Sequence, residues 1–133
     1  MHHAAFERDR ALISIPELRA LVGAEEPPAT ILVAASGNEL LGYAALTFDF
    51  SLWRARRWAH LDCLFVHERH RGKAIGSALL ARARRVGRKA GADRLEGHTP
   101  QWNGRGIAFY KRERAMIASK ARFQFDLAAR ADP

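Results

Sequence analysis

LDCLFVHERHRGKAIGSALL, residues 61–80 of this 133-residue chain, joins an apolar run to a basic turn and the start of a helix. The apolar run from Leu61 to Val66 predicts a strand. No acidic side chain stands in the first turn of the helix, where small residues dominate: Gly72, Ala74, Gly76 and Ser77. Backbone N–H groups and the positive end of the helix dipole meet there, so the stretch predicts an anion site. An ordinary tight strand-to-helix turn explains the glycine spacing equally well.

The whole chain has the composition of an ordinary globular protein. Apolar residues make up 48% and charged residues 27% of the sequence, unlike a disordered chain. We expect residues 1–133 to form a single domain. The 22 Lys and Arg against 14 Asp and Glu give a formal net charge of +8. This charge favours anionic partners, of which nucleic acid and a small polyanionic cofactor are two examples.

Cysteine and hydropathy patterns indicate where the protein works. Cys63 is the single cysteine of the chain, so an intrachain disulfide is excluded and a reducing cytoplasm is the expected location. Its apolar surroundings favour a buried thiol over a nucleophile. No apolar run reaches the ~18 residues of a membrane span, and no signal-peptide core is present at the start. His2 and His3 make no specific site, and we assign no metal.

Helices and strands are predicted to alternate along the chain. Helices are predicted at residues 6–10, 14–23, 73–90 and 103–112. Strands are predicted at 31–35, 40–47, 59–66, 94–99 and 121–127, with a hairpin turn at 36–39 and a basic, aromatic connection at 48–58. A hairpin followed by alternating strands and helices predicts an α/β (α+β) domain with one mixed central sheet flanked by helices.

Two motifs in this order resemble the GNAT family of N-acetyltransferases. Arg71-Gly72-Lys73-Ala74-Ile75-Gly76, after the strand ending in Phe65-Val66, is similar to that family's acetyl-CoA pyrophosphate loop. Trp102-Asn103 followed by Phe109-Tyr110-Lys111-Arg112 is similar to its Asn…Phe-Tyr helix. The resemblance covers roughly Leu32 to Leu127 and implies the GNAT-like acyl-CoA N-acyltransferase fold. Together with Leu61–Val66, the second motif looks most like the diamine (spermidine/spermine) acetyltransferase branch.

The resemblance implies a direct attack of a substrate amine on the thioester of acetyl-CoA. It implies Tyr110 as the acid that gives a proton to the departing thiolate, and Asp62 as the base that takes the proton of the amine through water. A core tyrosine and an arginine-paired aspartate are the structural alternatives for these two residues. Strand alternation is expected to put Asp62 on the same face as Leu64 and Val66.

The resemblance also implies the contacts of acetyl-CoA, a co-substrate. The backbone of residues 64–66 would pair with the pantetheine amides like an added strand, and the loop 71–77 would hold the pyrophosphate. Asn103 would contact the pantetheine arm, although a helix cap is an equal role for it. The expected binding residues are Leu64, Phe65, Val66, Arg71, Gly72, Lys73, Ala74, Ile75, Gly76, Ser77, Asn103, Phe109 and Tyr110.

Three features depart from the family's pattern. Ala74 stands where the loop usually has glycine, and its methyl group crowds the pyrophosphate, although alanine tolerates a helical backbone there. Arg114 stands where a glycine normally follows the Phe-Tyr helix, so a left-handed cap at this position either carries a cost or is replaced. The usual first strand has no counterpart, and we interpret the domain as shortened at the N-terminus.

The sequence therefore predicts an N-acetyltransferase that acts on a primary amine of a small molecule, either polyamine-like or an amino sugar or amino acid. Acidic candidates for the amine pocket are Glu25, Glu26, Asp49 and Asp62. Aromatic side chains that either shape this pocket or pack are Phe48, Phe50, Trp53 and Trp58. No membrane partner is expected, and a homodimer is left open as the assembly.

Two other functional classes remain open. A catalytically weak acyl-CoA-binding relative would keep the phosphate loop and lose turnover, and the departures at Ala74 and Arg114 suggest it. A nucleic-acid-binding module would use the net charge and the basic helix face of Arg82, Arg85 and Lys89. The sequence has no helix-turn-helix, zinc or RNA-recognition signature in support of that module.

Overall fold

The computed structural model describes residues 15–25 and 27–128. The helices in this part are α1 (Ile15–Val22), α2 (Ile75–Lys89) and α3 (Gly104–Arg112), with a short 3-10 turn at Glu68–His70. The strands are β1 (Thr30–Ser36), β2 (Glu39–Ser51), β3 (Arg56–Val66) and β4 (Leu95–Gly97). They form one sheet in the order β1-β2-β3-β4, in which β4 alone runs parallel to its neighbour. The predicted mixed sheet with flanking helices is confirmed.

The core lies between the sheet and α2. Paired residues of β2 and β3 turn apolar side chains toward this helix: Ala44 with Leu64, Leu46 with Leu61, and Phe48 with Ala59. From α2, Leu79, Leu80 and Ala83 are buried against them. Burying a leucine side chain contributes about 1.5–3 kcal/mol. These pairs therefore fix the position of α2 and of the loop before it. No helix in the described ranges is long and apolar enough to cross a membrane.

A bulge at Asp62 changes which side chains of β3 face the core. Cys63 pairs with Ala45 and Leu61 pairs with Leu46, so Asp62 stands opposite no residue of β2. Two residues, Asp62 and Cys63, therefore separate the buried side chains of Leu61 and Leu64, where regular alternation would place one. The prediction that Asp62 shares a face with Leu64 is wrong, because a bulge inserts one extra residue and reverses the alternation.

The basic, aromatic connection predicted at residues 48–58 is wrong. β2 continues to Ser51 and β3 begins at Arg56, so most of the segment is a paired hairpin. Aromatic residues favour strands, which here outweighs the basic character of the segment. The turn between the strands includes Ala55, whose φ of 50° is left-handed.

The strand predicted at residues 121–127 is also wrong. This segment has no regular secondary structure, and Phe123, Phe125 and Leu127 are 83%, 81% and 91% exposed. The alternation of apolar and polar residues in this segment is typical of a strand. A strand also has to pair with the edge of another strand, and the residues of that partner are distant in the sequence, so the local pattern does not reveal whether a partner is present. The helix predicted at 6–10 lies outside the described residues. The other predicted helices and strands are confirmed, with shifted ends.

Candidate active site

The loop between β3 and α2 presents backbone N–H groups to one point. Gly72 and Ala74 have left-handed φ values of 83° and 62°, which turn the chain sharply before the helix. The first helical bond runs from the N–H of Ala78 to the carbonyl of Ala74, and no side chain caps this end. The N–H groups of the first turn are therefore open to an anion, and no acidic side chain stands in that turn.

Ala74 departs from the expectation of a helical backbone. Its φ of 62° and ψ of 17° place it in the left-handed region as the N-cap residue of α2. A residue with a Cβ atom loses about 1 kcal/mol in this conformation relative to the right-handed one. The prediction that alanine is tolerated here because the backbone is helical is therefore wrong, and the loop carries backbone strain at this position.

Side chains fasten this loop to the surrounding strands. The Nε of Arg71 donates to the carbonyl oxygen of Val66 at 3.2 Å. Glu39, at the start of β2, lies 2.7 Å from His70 Nε2 and 3.2 Å from Arg69 Nη2. The hydrogen bond from His70 holds the pKa of the Glu39 carboxyl below its usual value. A carboxylate near the anion site is thus already engaged by basic side chains of the loop.

The pairing between β3 and β4 stops halfway along β3. The parallel ladder joins Ala59 to Leu95, His60 to Glu96 and Leu61 to Gly97, and β4 then ends. β3 continues to Val66, directly before the loop that leads to α2. The final part of β3 is therefore bordered by β2 along one edge, while β4 does not extend along its other edge.

Asn103 and Arg114 fix the two ends of α3. Asn103, which is 4% exposed, accepts from the N–H of Gly106 through Oδ1 and donates through Nδ2 to Thr99 Oγ1 at 2.6 Å. Its helix-capping role is thus seen directly, while its contact with pantetheine stays a prediction. At the other end, Arg114 has a φ of 66°, and the N–H of Ala115 bonds the Tyr110 carbonyl. Of the two alternatives expected at Arg114, the structure therefore shows the left-handed cap kept at a cost and not replaced.

Phe109 joins α3 to the start of α2. A Cβ atom built on Gly76 would lie 3.3 Å from Phe109 Cε1 and 3.7 Å from Val66 Cγ2. The aromatic ring therefore packs against the glycine that opens α2. This contact gives Phe109 a packing role in the loop; its contact with a cofactor stays a prediction.

Tyr110 and Tyr43 approach Cys63 from two elements. Burial raises the pKa of Tyr110 to about 12, and the electrostatic interaction with Cys63 adds to the rise. Burial, the electrostatic interaction with Cys63 and a hydrogen bond to Cys63 raise the pKa of Tyr43 to about 12 as well. Both phenols therefore stay protonated near neutral pH. Tyr43 was not predicted as a site residue. The sequence feature that could have indicated it is its position in the predicted strand 40–47, which precedes β3 in the chain.

Asp62 lies among aromatic and imidazole rings on the sheet face opposite α2. Its Oδ1 is 3.7 Å from His60 Nε2, and the side chain is 59% exposed. The His60 ring centroid lies 5.2 Å from that of His98 and 5.9 Å from that of Trp58. Sequence reasoning missed both histidines. The available signal was that His60 precedes Asp62 by two residues in a predicted strand, and that His98 ends the parallel strand beside it.

The structure thus brings together most of the predicted site residues. Residues 71–77 form the turn into α2 and its first residues, residues 64–66 lie at the end of the strand before this turn, and Phe109 packs against Gly76. Asp62 adjoins Cys63, which interacts with Tyr110, so the acid and base candidates lie in one region. Asp49 is on β2 opposite Trp58. Glu25 is exposed next to α1, and Glu26 lies outside the described residues.

Comparison with known proteins gives one family. The model of the family described as "Acetyltransferase (GNAT) family" matches residues 3–116. The chain is 30% identical over 111 residues to thialysine N-epsilon-acetyltransferase of Bos taurus. That alignment covers 77% of this chain and 65% of the bovine protein, so the match spans less than two thirds of that relative.

Solved structures share the fold at low sequence identity. An integron cassette protein from the mobile metagenome of V. cholerae has a TM-score of 0.73 and 24% identity, over 86% of this chain and 74% of that one. An aminoglycoside acetyltransferase from an uncultured soil metagenomic sample has a TM-score of 0.79 and 16% identity, over 93% and 82% of the two chains. At these identities the likeness establishes a common fold.

Proposed function

This chain belongs to the GNAT acetyltransferase family, and we propose that it transfers the acetyl group of acetyl-CoA to a primary amine of a small molecule. One observation carries the proposal: the ladder between β3 and β4 ends at Leu61, while β3 continues to Val66 and leads through the loop 67–74 to the start of α2, which no side chain caps. A strand edge and an anion site in succession suit a substrate that has amide groups followed by phosphates.

Acetyl-CoA would bind along this path as a substrate. The backbone of residues 64–66 would pair with its pantetheine amides, in the manner of a strand added to a sheet edge. Its pyrophosphate would meet the first-turn N–H groups of α2, where the helix dipole stabilises negative charge. Gly72 supports this placement because a Cβ atom there would meet nothing within 4 Å, so the surface of the loop is open.

Tyr110 would be the proton donor for the departing thiolate of CoA. The pKa of its phenol, raised to about 12 chiefly by burial, keeps the proton on the oxygen at neutral pH. A group that must donate a proton has to hold it before the reaction begins. Tyr43 shares this property, so the assignment to Tyr110 rests on its match to the family's Phe-Tyr motif and is open to test.

Asp62 would take the proton from the attacking amine through water. A primary amine is protonated near neutral pH, and it attacks the thioester only after it loses that proton. The bulge pushes the Asp62 side chain out of the core face, and its 59% exposure keeps it accessible to a substrate. Its negative charge would also attract the ammonium group before the proton is lost.

The proposed substrate class is a small amine, either polyamine-like or an amino sugar or amino acid. The names of the bovine thialysine acetyltransferase and of the soil aminoglycoside acetyltransferase support amines of this kind. Asp49, which is exposed, pairs with the half-buried Trp58 across the hairpin, and the exposed Asp62 lies further along the strand of Trp58. Carboxylates and an aromatic ring together suit a cationic amine.

A cytoplasmic location and a homodimer complete the proposal. The single cysteine of the chain supports a reducing compartment. The dimer would be tested by light scattering of the purified protein, in which a molar mass of one chain would contradict it.

The test is thiol release from acetyl-CoA in the presence of an amine panel. The panel holds spermidine, thialysine, an aminoglycoside and free amino acids, and CoA binding is measured separately by calorimetry. We expect release with at least one amine. CoA binding without release for any amine would favour the catalytically weak relative. Absence of CoA binding would contradict both readings, and salt-sensitive DNA binding would then favour the nucleic-acid module.

A further inference from the structure

Glu39, His70 and Lys73 form a row of hydrogen-bonded side chains beside the start of α2. The Oε1 atom of Glu39, at the beginning of β2, lies 2.7 Å from His70 Nε2. The other ring nitrogen of His70, Nδ1, lies 3.4 Å from Lys73 Nζ. The imidazole of His70 therefore bridges a carboxylate on the sheet and an ammonium group in the loop before α2.

The hydrogen-bond donors of this row define the tautomer of His70. A lysine ammonium group donates hydrogen bonds and has no acceptor, so Nδ1 of His70 accepts and carries no proton. The proton of the neutral ring is then on Nε2, which donates it to Glu39. This hydrogen bond contributes most to holding the pKa of the Glu39 carboxyl below its usual value. Glu39 is therefore ionised near neutral pH, in the state that holds the ring most strongly.

The other charged and titratable groups near His70 have contacts of their own. Arg69 Nη2 lies 3.2 Å from the same oxygen of Glu39. The ring centroid of His67 lies 5.9 Å from that of His70, and His67 Nδ1 accepts the N–H of Arg69. The Nε of Arg71 donates to a backbone carbonyl at the end of β3. Among the described residues, the lysine of the row is thus the cation that contacts Nδ1 of His70.

We propose that Glu39 and His70 are positioning residues that hold the Lys73 ammonium group for the phosphates of CoA. This inference rests on the proposed function. Lys73 stands between Gly72 and Ala74, next to the first turn of α2, which no side chain caps. Its charge therefore adds to the same anion site. A free lysine side chain has many rotamers, and ordering it on binding costs affinity. The hydrogen bond to His70 orders it beforehand.

The row makes the affinity for CoA depend on the protonation of His70. Imidazole gains a proton as the pH falls from about 8 to about 5. A proton on Nδ1 removes the acceptor of Lys73 and puts a like charge beside it, so the lysine is released. A glutamine in place of His70 would keep both hydrogen bonds, because its amide N–H donates and its oxygen accepts, and it would not titrate.

The test is CoA binding to the full chain, measured by calorimetry at pH 8 and pH 6. At pH 8, His70→Leu should weaken binding about 10-fold, the size expected for one hydrogen bond to a charged group. His70→Gln should bind like the wild type at pH 8. At pH 6 the wild type should bind more weakly than His70→Gln, which is the reference because the phosphates of CoA titrate alike in both measurements.

A double-mutant cycle separates positioning from a general effect on the loop. Lys73→Met should weaken CoA binding at pH 8 at least as much as His70→Leu. Adding His70→Leu to Lys73→Met should cause no further loss, because the two residues act through one contact. Glu39→Ala should weaken binding several-fold. Glu68→Ala is its matched control, since it removes an exposed carboxylate of the same loop that lies outside the row, and it should bind like the wild type.

The possible results separate this inference from the proposed function. Wild-type affinity of His70→Leu, or additive losses in the double variant, would overturn the inference and leave the proposed function intact. Tighter binding by the wild type than by His70→Gln at pH 6 would also overturn it, since the imidazolium would then act as a cation itself. If His70→Leu does not fold, the comparison of His70→Gln with the wild type decides. Absence of CoA binding to the wild type would overturn both proposals.

Discussion

The two faces of the sheet are built from the same two strands and have different chemistry. Toward α2, the paired side chains of β2 and β3 are apolar and mostly buried, with Leu46 fully enclosed. On the opposite face, the paired side chains include Tyr43, Thr47, His60 and Cys63, all of them half-buried. The first face holds the fold together. The second carries the groups that can exchange protons.

The bulge at Asp62 separates these two roles. Regular alternation from Leu64 would turn Asp62 toward α2 and the core. Burial of a neutral polar group without a hydrogen bond costs on the order of 2–7 kcal/mol, and burial of an unpaired carboxylate costs more. The extra residue instead lets Leu61 and Leu64 both face the core, and leaves Asp62 on the side of His60. A single irregularity thus supplies an acidic group to the polar face without disturbing the core.

Substitution of the Tyr110 phenol, which α3 brings close to Cys63 of the polar face, should have the largest effect. Tyr110→Phe should lower kcat by about 10²-fold or more, because a positioned proton donor contributes about 10²–10⁴-fold. CoA affinity should stay unchanged, as measured by calorimetry. Tyr43→Phe is the matched control, since the pKa of that phenol is raised to about the same value. Equal losses of kcat in the two variants would contradict the assignment of the acid to Tyr110.

Substitution on the core face should act on stability instead. Leu46→Ala removes a side chain that is 0% exposed and should lower the free energy of unfolding by about 2–5 kcal/mol. Urea denaturation followed by circular dichroism would measure it. The folded fraction should keep its kcat. Thr47→Ala, its neighbour on the polar face, should destabilise much less, and a similar loss for both would contradict the division between the faces.

The sequence predicts this division only in part. The loop 71–77 and the cap at Asn103 are local signals, carried by residue types at fixed spacing, and the family that they indicate is confirmed. At Arg114 the same kind of signal left two alternatives, a costly left-handed cap or its replacement, and the structure shows the left-handed residue. The bulge at Asp62 was not predictable, because it depends on how β3 pairs with β2, and alternation within β3 gives no sign of it.

Other failures have the same origin in contacts between distant segments. Residues 121–127 alternate like a strand, but the pattern does not specify a neighbouring edge. The approach of His98 to His60 follows from the parallel pairing of β3 with β4, which sequence spacing alone does not reveal. Only the assembled sheet brings these rings together.

Replacement of the two left-handed residues by glycine should give smaller, matched effects. Ala74→Gly and Arg114→Gly each remove strain at a φ of 62° and 66°, and each should stabilise the fold by about 1 kcal/mol or less. Thermal unfolding would measure both. Ala74→Gly alone should also tighten CoA binding, because Ala74 borders the anion site. An equal change of CoA affinity in both variants would contradict that placement.

The pH dependence of activity should show no contribution from Tyr110 below about pH 11. Because the pKa of Tyr110 is raised to about 12, its phenol keeps the proton needed for donation as the pH rises from 8 to 10. The wild-type protein and Tyr110→Phe should therefore have alkaline limbs of the same shape in kcat. An alkaline limb near pH 9 that Tyr110→Phe abolishes would contradict the burial of this group.

Hydrogen exchange at backbone amides, measured with and without CoA, tests most directly whether β3 and the start of α2 form one binding path. We predict that CoA slows exchange in residues 62–66 and 72–77. Exchange in residues 81–89, the C-terminal part of α2, should stay unchanged. Slower exchange elsewhere, with no change in these two segments, would contradict the account.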